Sequence, residues 1–213
     1  MVGAAKTGIG AEDHIPDNPQ SDGPVGKGRR LPAAARRKQI VEQALGLISA
    51  AGYNAVSLAD VAKACGIAKS LVLHYFPTTA DLLAAVLAYR DERAFDEFIS
   101  PAQQPFTAAS ARALATLVVH HNLAQREMLR LHHILEAEAL FPQHPAHAYF
   151  VERTRKMQAF NEVLMSWKPE PRIAGIEFAA FWGGLERLWL RDGDLDFLSV
   201  WNSFCDRFFT SDP

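Results

Sequence analysis

His132, His133 and Glu136 stand close enough in the chain to do chemistry together. His132 and Glu136 lie at i and i+4, so on a helix they share one face. Imidazole and carboxylate on a shared face are metal-ligand types, and His120 and His121 on the preceding helix offer a further ligand. Two ligands do not complete such a site, and a polar pair or a polar anchor for a small molecule fits the spacing better. No metal and no other cofactor is expected. An all-helical hydrolase built on His132, Glu136 and His120 is the enzymatic alternative. It is set aside because no nucleophile stands beside a local base and no phosphate-cradling loop appears.

A second group of residues points to a polyanion. Residues 57–76 read SLADVAKACGIAKSLVLHYF. Two short helices that cross steeply need a small residue at the contact, which Ala62 supplies. The turn needs a residue tolerant of positive φ, and Gly66 follows four positions on. Val72, six further, turns back into the first helix, with Leu58, Val61 and Ile67 completing a small core. This is the arrangement of a DNA-binding helix-turn-helix, whose second helix enters the major groove. Charge agrees with it. The formal net charge is -2, but residues 27–81 carry eight Lys or Arg against three carboxylates, a local +5. Six of those basic groups fall between positions 27 and 38. A basic block on an acidic body suits a nucleic-acid partner.

The elements that position these groups read as helices. The 213 residues are 49% hydrophobic and 22% charged, which excludes a mostly disordered or collagen-like chain. No apolar run approaches the roughly 20 residues of a membrane helix, and no leader pattern opens the chain, so no membrane partner is expected. Cys65 and Cys205 stand far apart with no partner at metal spacing, which suits a reducing cytoplasm. Residues 1–31, rich in Gly and Pro, read as a flexible arm. From Pro32 the period becomes helical, with Ile40, Ala44, Leu47, Ile48 and Ala51 on one face and Gly52 as the stop. Ser57 caps the next helix, and a short one follows from about Ala68 to His74. Thr78 or Thr79 caps a long helix toward Phe98. Further helices are expected at about 107–124, 126–140, 145–167, 172–191 and 195–209. The fold class is all-α with about nine helices, divided as arm (1–31), helix-turn-helix domain (32–80) and helical effector and dimerisation domain (81–213).

Residues 36–89 resemble the N-terminal domain of TetR-family transcriptional regulators. The resemblance rests on Ala51-Gly52-Tyr53 closing the first helix and on Ser57-Leu58-Ala59-Asp60-Val61-Ala62 in the second. It continues through the segment Gly66-Ile67-Ala68-Lys69-Ser70-Leu71-Val72-Leu73-His74-Tyr75-Phe76 and the Asp81-Leu82-Leu83 start of the fourth helix. It implies a DNA-binding surface of Arg36, Ser57, Ala68, Lys69, Ser70, Leu71, Leu73, His74 and Tyr75. Lys69, Ser70, Leu71 and His74 would face base edges, and Arg36, Ser57 and Tyr75 phosphates. The chain departs from the family pattern in having Ala68 for Ser, Leu73 for Tyr and Thr79 for Lys, each a lost phosphate contact. The basic cluster at positions 27–38 is placed to make up that loss along the backbone or in the minor groove.

The resemblance further implies a small-molecule pocket and a symmetric dimer. Wall candidates are Phe95, Phe98, Leu117, His121, Met128, His132, Leu135, Glu136, Phe150, Met157 and Phe160, for a largely apolar effector. Dimer candidates are Phe178, Phe181, Trp182, Leu185, Trp189, Leu198, Trp201 and Phe204. The last two helices carry more apolar surface than one small domain hides, and Gly183-Gly184 admits a close helix. The expected function is a homodimeric repressor on a palindromic operator, released by its effector. The alternative is an adaptor or ligand-binding protein that kept this fold with lost or weakened DNA binding.

Overall fold

The computed structural model describes residues 31–210, and the expected N-terminal arm lies outside them apart from Leu31. Those residues form nine α-helices: α1 (Ala33–Ala51), α2 (Leu58–Cys65), α3 (Lys69–Tyr75), α4 (Thr79–Ala94), α5 (Ala108–Leu123), α6 (Arg126–Glu138), α7 (His147–Leu164), α8 (Pro171–Arg191) and α9 (Phe197–Phe208). A 3-10 turn, Tyr53–Ala55, follows α1, and a π-helical turn, Phe95–Ile99, extends α4. No strand occurs among the described residues.

Local chemistry explains the boundaries. Ser57 and Thr78 each accept a bond from the backbone N–H three residues on. Asp60 and Asp81 accept from the two cap backbones in return, so α2 and α4 both open with reciprocal capping boxes. Gly66 closes α2 at φ 65°, a left-handed turn that costs a glycine no Cβ clash. Pro171 starts α8, where its missing N–H has no helical partner to lose. The amide of Ser100 bonds the Phe95 carbonyl at 2.8 Å, the five-residue closure of the π turn.

Two apolar clusters organise the packing. The first joins Ile40, Ala44 and Ile48 of α1 to Val61, Val72, Phe76, Leu82 and Val86, and reaches Met128 and Leu131 of α6. The second joins Leu114, Ala115 and Val119 of α5 to Leu164, Phe178, Leu185, Trp201 and Cys205. Helices α7 and α8 pass very close: a Cβ on Gly175 would lie 3.0 Å from the Asn161 carbonyl carbon. Any larger residue there would push the two helices apart.

Candidate nucleic-acid interface and ligand cavity

Helix α3 has one buried side. Val72 is fully buried and holds the helix onto α1 and α2, and Phe76 closes the same core. The Arg37 guanidinium lies 4.8 Å over the Phe76 ring, tying the start of α1 to this core. The remaining turn faces outward: Ala68, Lys69, Ser70, Leu71, Leu73 and His74 are exposed. Tyr75 is half-buried against the core and packs edge-on to the His74 ring. Ser57 is exposed, yet its hydroxyl is engaged with Asp60 at 2.5 Å. Arg36 is half-buried and donates to Gln39 at 2.5 Å. The nine candidates thus divide into six on the free turn of α3, and Arg36, Ser57 and Tyr75 with intramolecular roles of their own.

A cavity of about 340 Å³ lies between α4, α5, α6, α7 and α8, within the size range of small-molecule sites. Of the wall candidates, Phe95, His132, Glu136, Met157 and Phe160 line it. The others do not. Met128, Leu135 and Phe150 are buried in the first apolar cluster. Phe98 and His121 pack on each other, with ring centroids 4.8 Å apart. Leu117 points outward and is 50% exposed.

The cavity carries more charge than the sequence suggested. Arg90, Asp91, Arg153, Glu186 and Arg187 join Glu136 in its wall, with Asn122 and His133. A chain of bonds crosses it. Arg90 Nη2 donates to Asn122 Oδ1 at 2.6 Å, and Asn122 Nδ2 to Glu186 Oε1 at 3.0 Å. Trp182 Nε1 donates to the same Glu186 oxygen at 2.5 Å, and His133 Nε2 lies 3.0 Å from Glu186 Oε2. Asp91 accepts from Arg153 Nε at 2.7 Å and from the Tyr149 hydroxyl at 2.9 Å. Burial pulls the His132 pKa well below its ordinary value, reinforced by Arg153, His133, Arg90 and Arg187. Burial also acts to lower His133, but the facing carboxylates Glu136 and Glu186 more than offset it and hold that pKa up. His132, His133 and Glu136 offer one ligand atom each, all within 4.8 Å of one another, so the suspected trio does converge.

Sequence reasoning missed Arg90, Asn122 and Glu186, although a signal existed. Leu82, Val86 and Arg90 recur every four residues, so the buried face of α4 runs directly onto a guanidinium. Phe178, Trp182 and Glu186 repeat the pattern on α8.

The aromatic residues of α8 and α9 were expected to face a second copy. Phe178, Leu185 and Trp201 are buried in their own chain's second cluster, so they offer no surface to a twin. Phe181 and Phe204 stack on each other at 3.7 Å between centroids, and with Trp182 and Trp189 they are half-buried. Leu198 is exposed, as are Ile173, Ile176 and Leu188 of α8, which are outside the dimer candidates.

Residues 40–86 match the family model described as bacterial regulatory proteins, tetR family. The uncharacterized HTH-type transcriptional regulator YuxN of Bacillus subtilis (strain 168) is 28% identical over 92 residues, which are 43% of this chain and 32% of that protein. The match thus spans about a third of the length of this curated relative. A TetR transcriptional regulator from Rhodococcus sp. RHA1 superposes with a TM-score of 0.62 at 17% identity, over 84% of this chain and 98% of that one. The structure of AibR in complex with isovaleryl coenzyme A and operator DNA superposes with a TM-score of 0.55 at 20% identity, over 82% and 98% of the two chains. These structures share the fold. Residues 40–86 thus carry a TetR-family DNA-binding domain, a helix-turn-helix in a chain that shares its fold with TetR regulators.

Proposed function

We propose that the chain is a homodimeric repressor that binds a two-fold symmetric operator and leaves it when a small effector enters the cavity behind α4. In this reading residues 32–80 read DNA, and residues 81–213 bind the effector and pair the subunits. The observation that carries it is the construction of α3. One fully buried residue, Val72, anchors it, while Lys69, Ser70 and His74 stand free on the opposite side. Lys69 suits guanine acceptors, and the exposed Leu71 suits a thymine methyl. AibR, of the same fold, is described with both an acyl-coenzyme A and operator DNA, which supports an effector-responsive reading here.

The proposed pairing surface is the outer face of α8. Ile173, Ile176, Ala180, Gly184 and Leu188 fall on that face at helical spacing, and the small Ala180 and Gly184 at its centre admit a second helix. A two-fold contact through it pairs two copies of α3 with the same symmetry as a palindromic operator. Helix α4 is the natural lever. Its first turn packs in the DNA-reading core through Leu82, and its last turn puts Arg90 and Asp91 in the cavity wall. An effector must bind the two states unequally to move it.

The deciding experiment is selection of bound sequences from random duplex DNA, followed by affinity against salt. A palindromic winner with a steep negative salt slope supports the reading. Weak, sequence-independent binding would favour an adaptor that has lost DNA recognition.

A further inference from the structure

The cavity behind α4 holds a charged side chain without a counter-charge beside it. Arg90 is 8% exposed and lines the cavity. Its only hydrogen-bond acceptor among the described residues is the neutral Asn122 amide, and its Nε has none. No carboxylate lies within ion-pair distance of it among those residues. The nearby carboxylates are claimed elsewhere: Asp91 by Arg153 and Tyr149, Glu186 by Trp182, Asn122 and His133. Glu136 faces His132 at 3.9 Å and His133 at 3.7 Å. A guanidinium cannot shed its proton at ordinary pH, so a buried one without a counter-charge is costly.

Arg90, Arg153 and Arg187 stand against Asp91, Glu136 and Glu186, an even count. All three carboxylates are engaged by other groups, Glu136 and Glu186 by the His133 ring between them, so the Arg90 charge has no partner of its own. Beside the neutral polar Asn122, Thr154, Gln158 and Asn161, the rest of the wall is mostly apolar. Leu114, Ala115, Leu164 and Phe178 belong to the second buried cluster, with Val118 and Phe160 packed against it.

Resting on the reading of this cavity as the effector site, we propose that its ligand is a small organic monoanion, a carboxylate bearing an apolar chain. Arg90 holds the carboxylate, through the planar fork that matches its two oxygens. The chain lies along Val118, Phe160 and Phe95. A metal ion is the competing occupant, because His132, His133 and Glu136 converge. The charges oppose it: Arg153 and Arg187 both act on Glu136, and those two with Arg90 act on His132.

The test is calorimetric titration of the full-length protein with straight-chain carboxylates from butanoate to decanoate. Matching primary alcohols, matching primary amines and Zn²⁺ alone form the other arms. Binding by a carboxylate, with the alcohol of that length weaker and the amine and Zn²⁺ inactive, is expected. Arg90→Met should weaken the carboxylate about ten- to a hundredfold, the value of a charge-assisted bond, and leave the alcohol unchanged. Arg90→Lys, which keeps the charge and loses the fork, should fall between, so the proposal survives if the methionine variant misfolds. Equal carboxylate binding by wild type and both variants would overturn the role of Arg90. Preference for the amine or Zn²⁺, abolished by the cavity-filling Val118→Trp, would overturn the monoanion while the effector-site reading stands. Binding by no class of probe would overturn both.

Discussion

Helix α3 and the wall of the cavity break the ordinary rule of burial in opposite directions. On α3, Leu71 and Leu73 stand in solvent at 36% and 38% exposure, around a single buried anchor, Val72. In the cavity, Arg90, His132 and Glu186 are all below 9% exposed, inside apolar helices. An exposed apolar residue on a small helix costs little, because the core behind it folds without its help. A buried charge is a standing cost that the fold tolerates only with partners. The two sites therefore respond to mutation differently. A change on α3 should alter recognition and leave stability alone, whereas a change among the buried groups behind α4 should alter both.

The largest effect should come from the framework of the body. Trp201 is fully buried, contacts Phe178 and Trp182, and donates to Thr116 at 3.2 Å. Trp201→Ala should cost about 3–5 kcal/mol in urea unfolding. A loss below about 1 kcal/mol would mean that the cluster relaxes freely and does not frame the cavity. Lys69→Ala is the counterpart on α3. It should leave the unfolding midpoint unchanged and weaken operator binding by about 1–3 kcal/mol, with specificity relaxed at one base pair. A uniform loss on all sequences, with a smaller salt slope, would instead make Lys69 a phosphate contact.

The pH dependence probes the buried side of the comparison. The His132 pKa is depressed in the folded chain by burial and nearby arginines. As pH falls below the unfolded value of about 6.5, the unfolded chain takes up a proton that the folded chain refuses. The contribution of His132 is thus complete above that pH and is lost as pH drops toward the lower folded value. The slope from this one group is at most about 1.4 kcal/mol per pH unit. His133 works the other way, since its folded pKa is raised: its contribution is present below about 6.5 and lost as pH rises through the folded value. His132→Phe should flatten the acid limb of a urea-midpoint profile. An unchanged limb would show that His132 gains its proton without penalty.

What the sequence made legible follows from the range of the interactions. The cap at Ser57, the left-handed Gly66 and the anchor Val72 each depend on neighbours within a few residues, and spacing reads them directly, while for α4 it narrows the cap to Thr78 or Thr79. The cavity draws on five helices. Arg90 and Asn122 are 32 positions apart, and Asn122 and Glu186 are 64. Residue type alone could not show which of Phe98, His121 and Met128 would be spent on packing and which of Phe95, Met157 and Phe160 would line an opening. Aromatic density on α8 and α9 is ambiguous for the same reason: Phe178 and Trp201 satisfy each other within one chain.

Ser57 tests whether the two kinds of site stay separate within the helix-turn-helix itself. Its hydroxyl accepts from the Asp60 amide at 3.2 Å and donates to the Asp60 carboxylate at 2.5 Å, so it already serves the fold. Ser57→Ala should cost about 1 kcal/mol of stability, as a lost cap does. Ser57→Asn should restore most of that, because Asn caps about as well as Ser. If Ser57 only caps, operator affinity measured well below the unfolding transition should be equal for wild type and the Asn variant. If it also grips a phosphate, the Asn variant should recover stability without recovering affinity. That split would place one side chain in the fold and in recognition at once, and the division between α3 and the buried wall would then hold for whole helices but not for their caps.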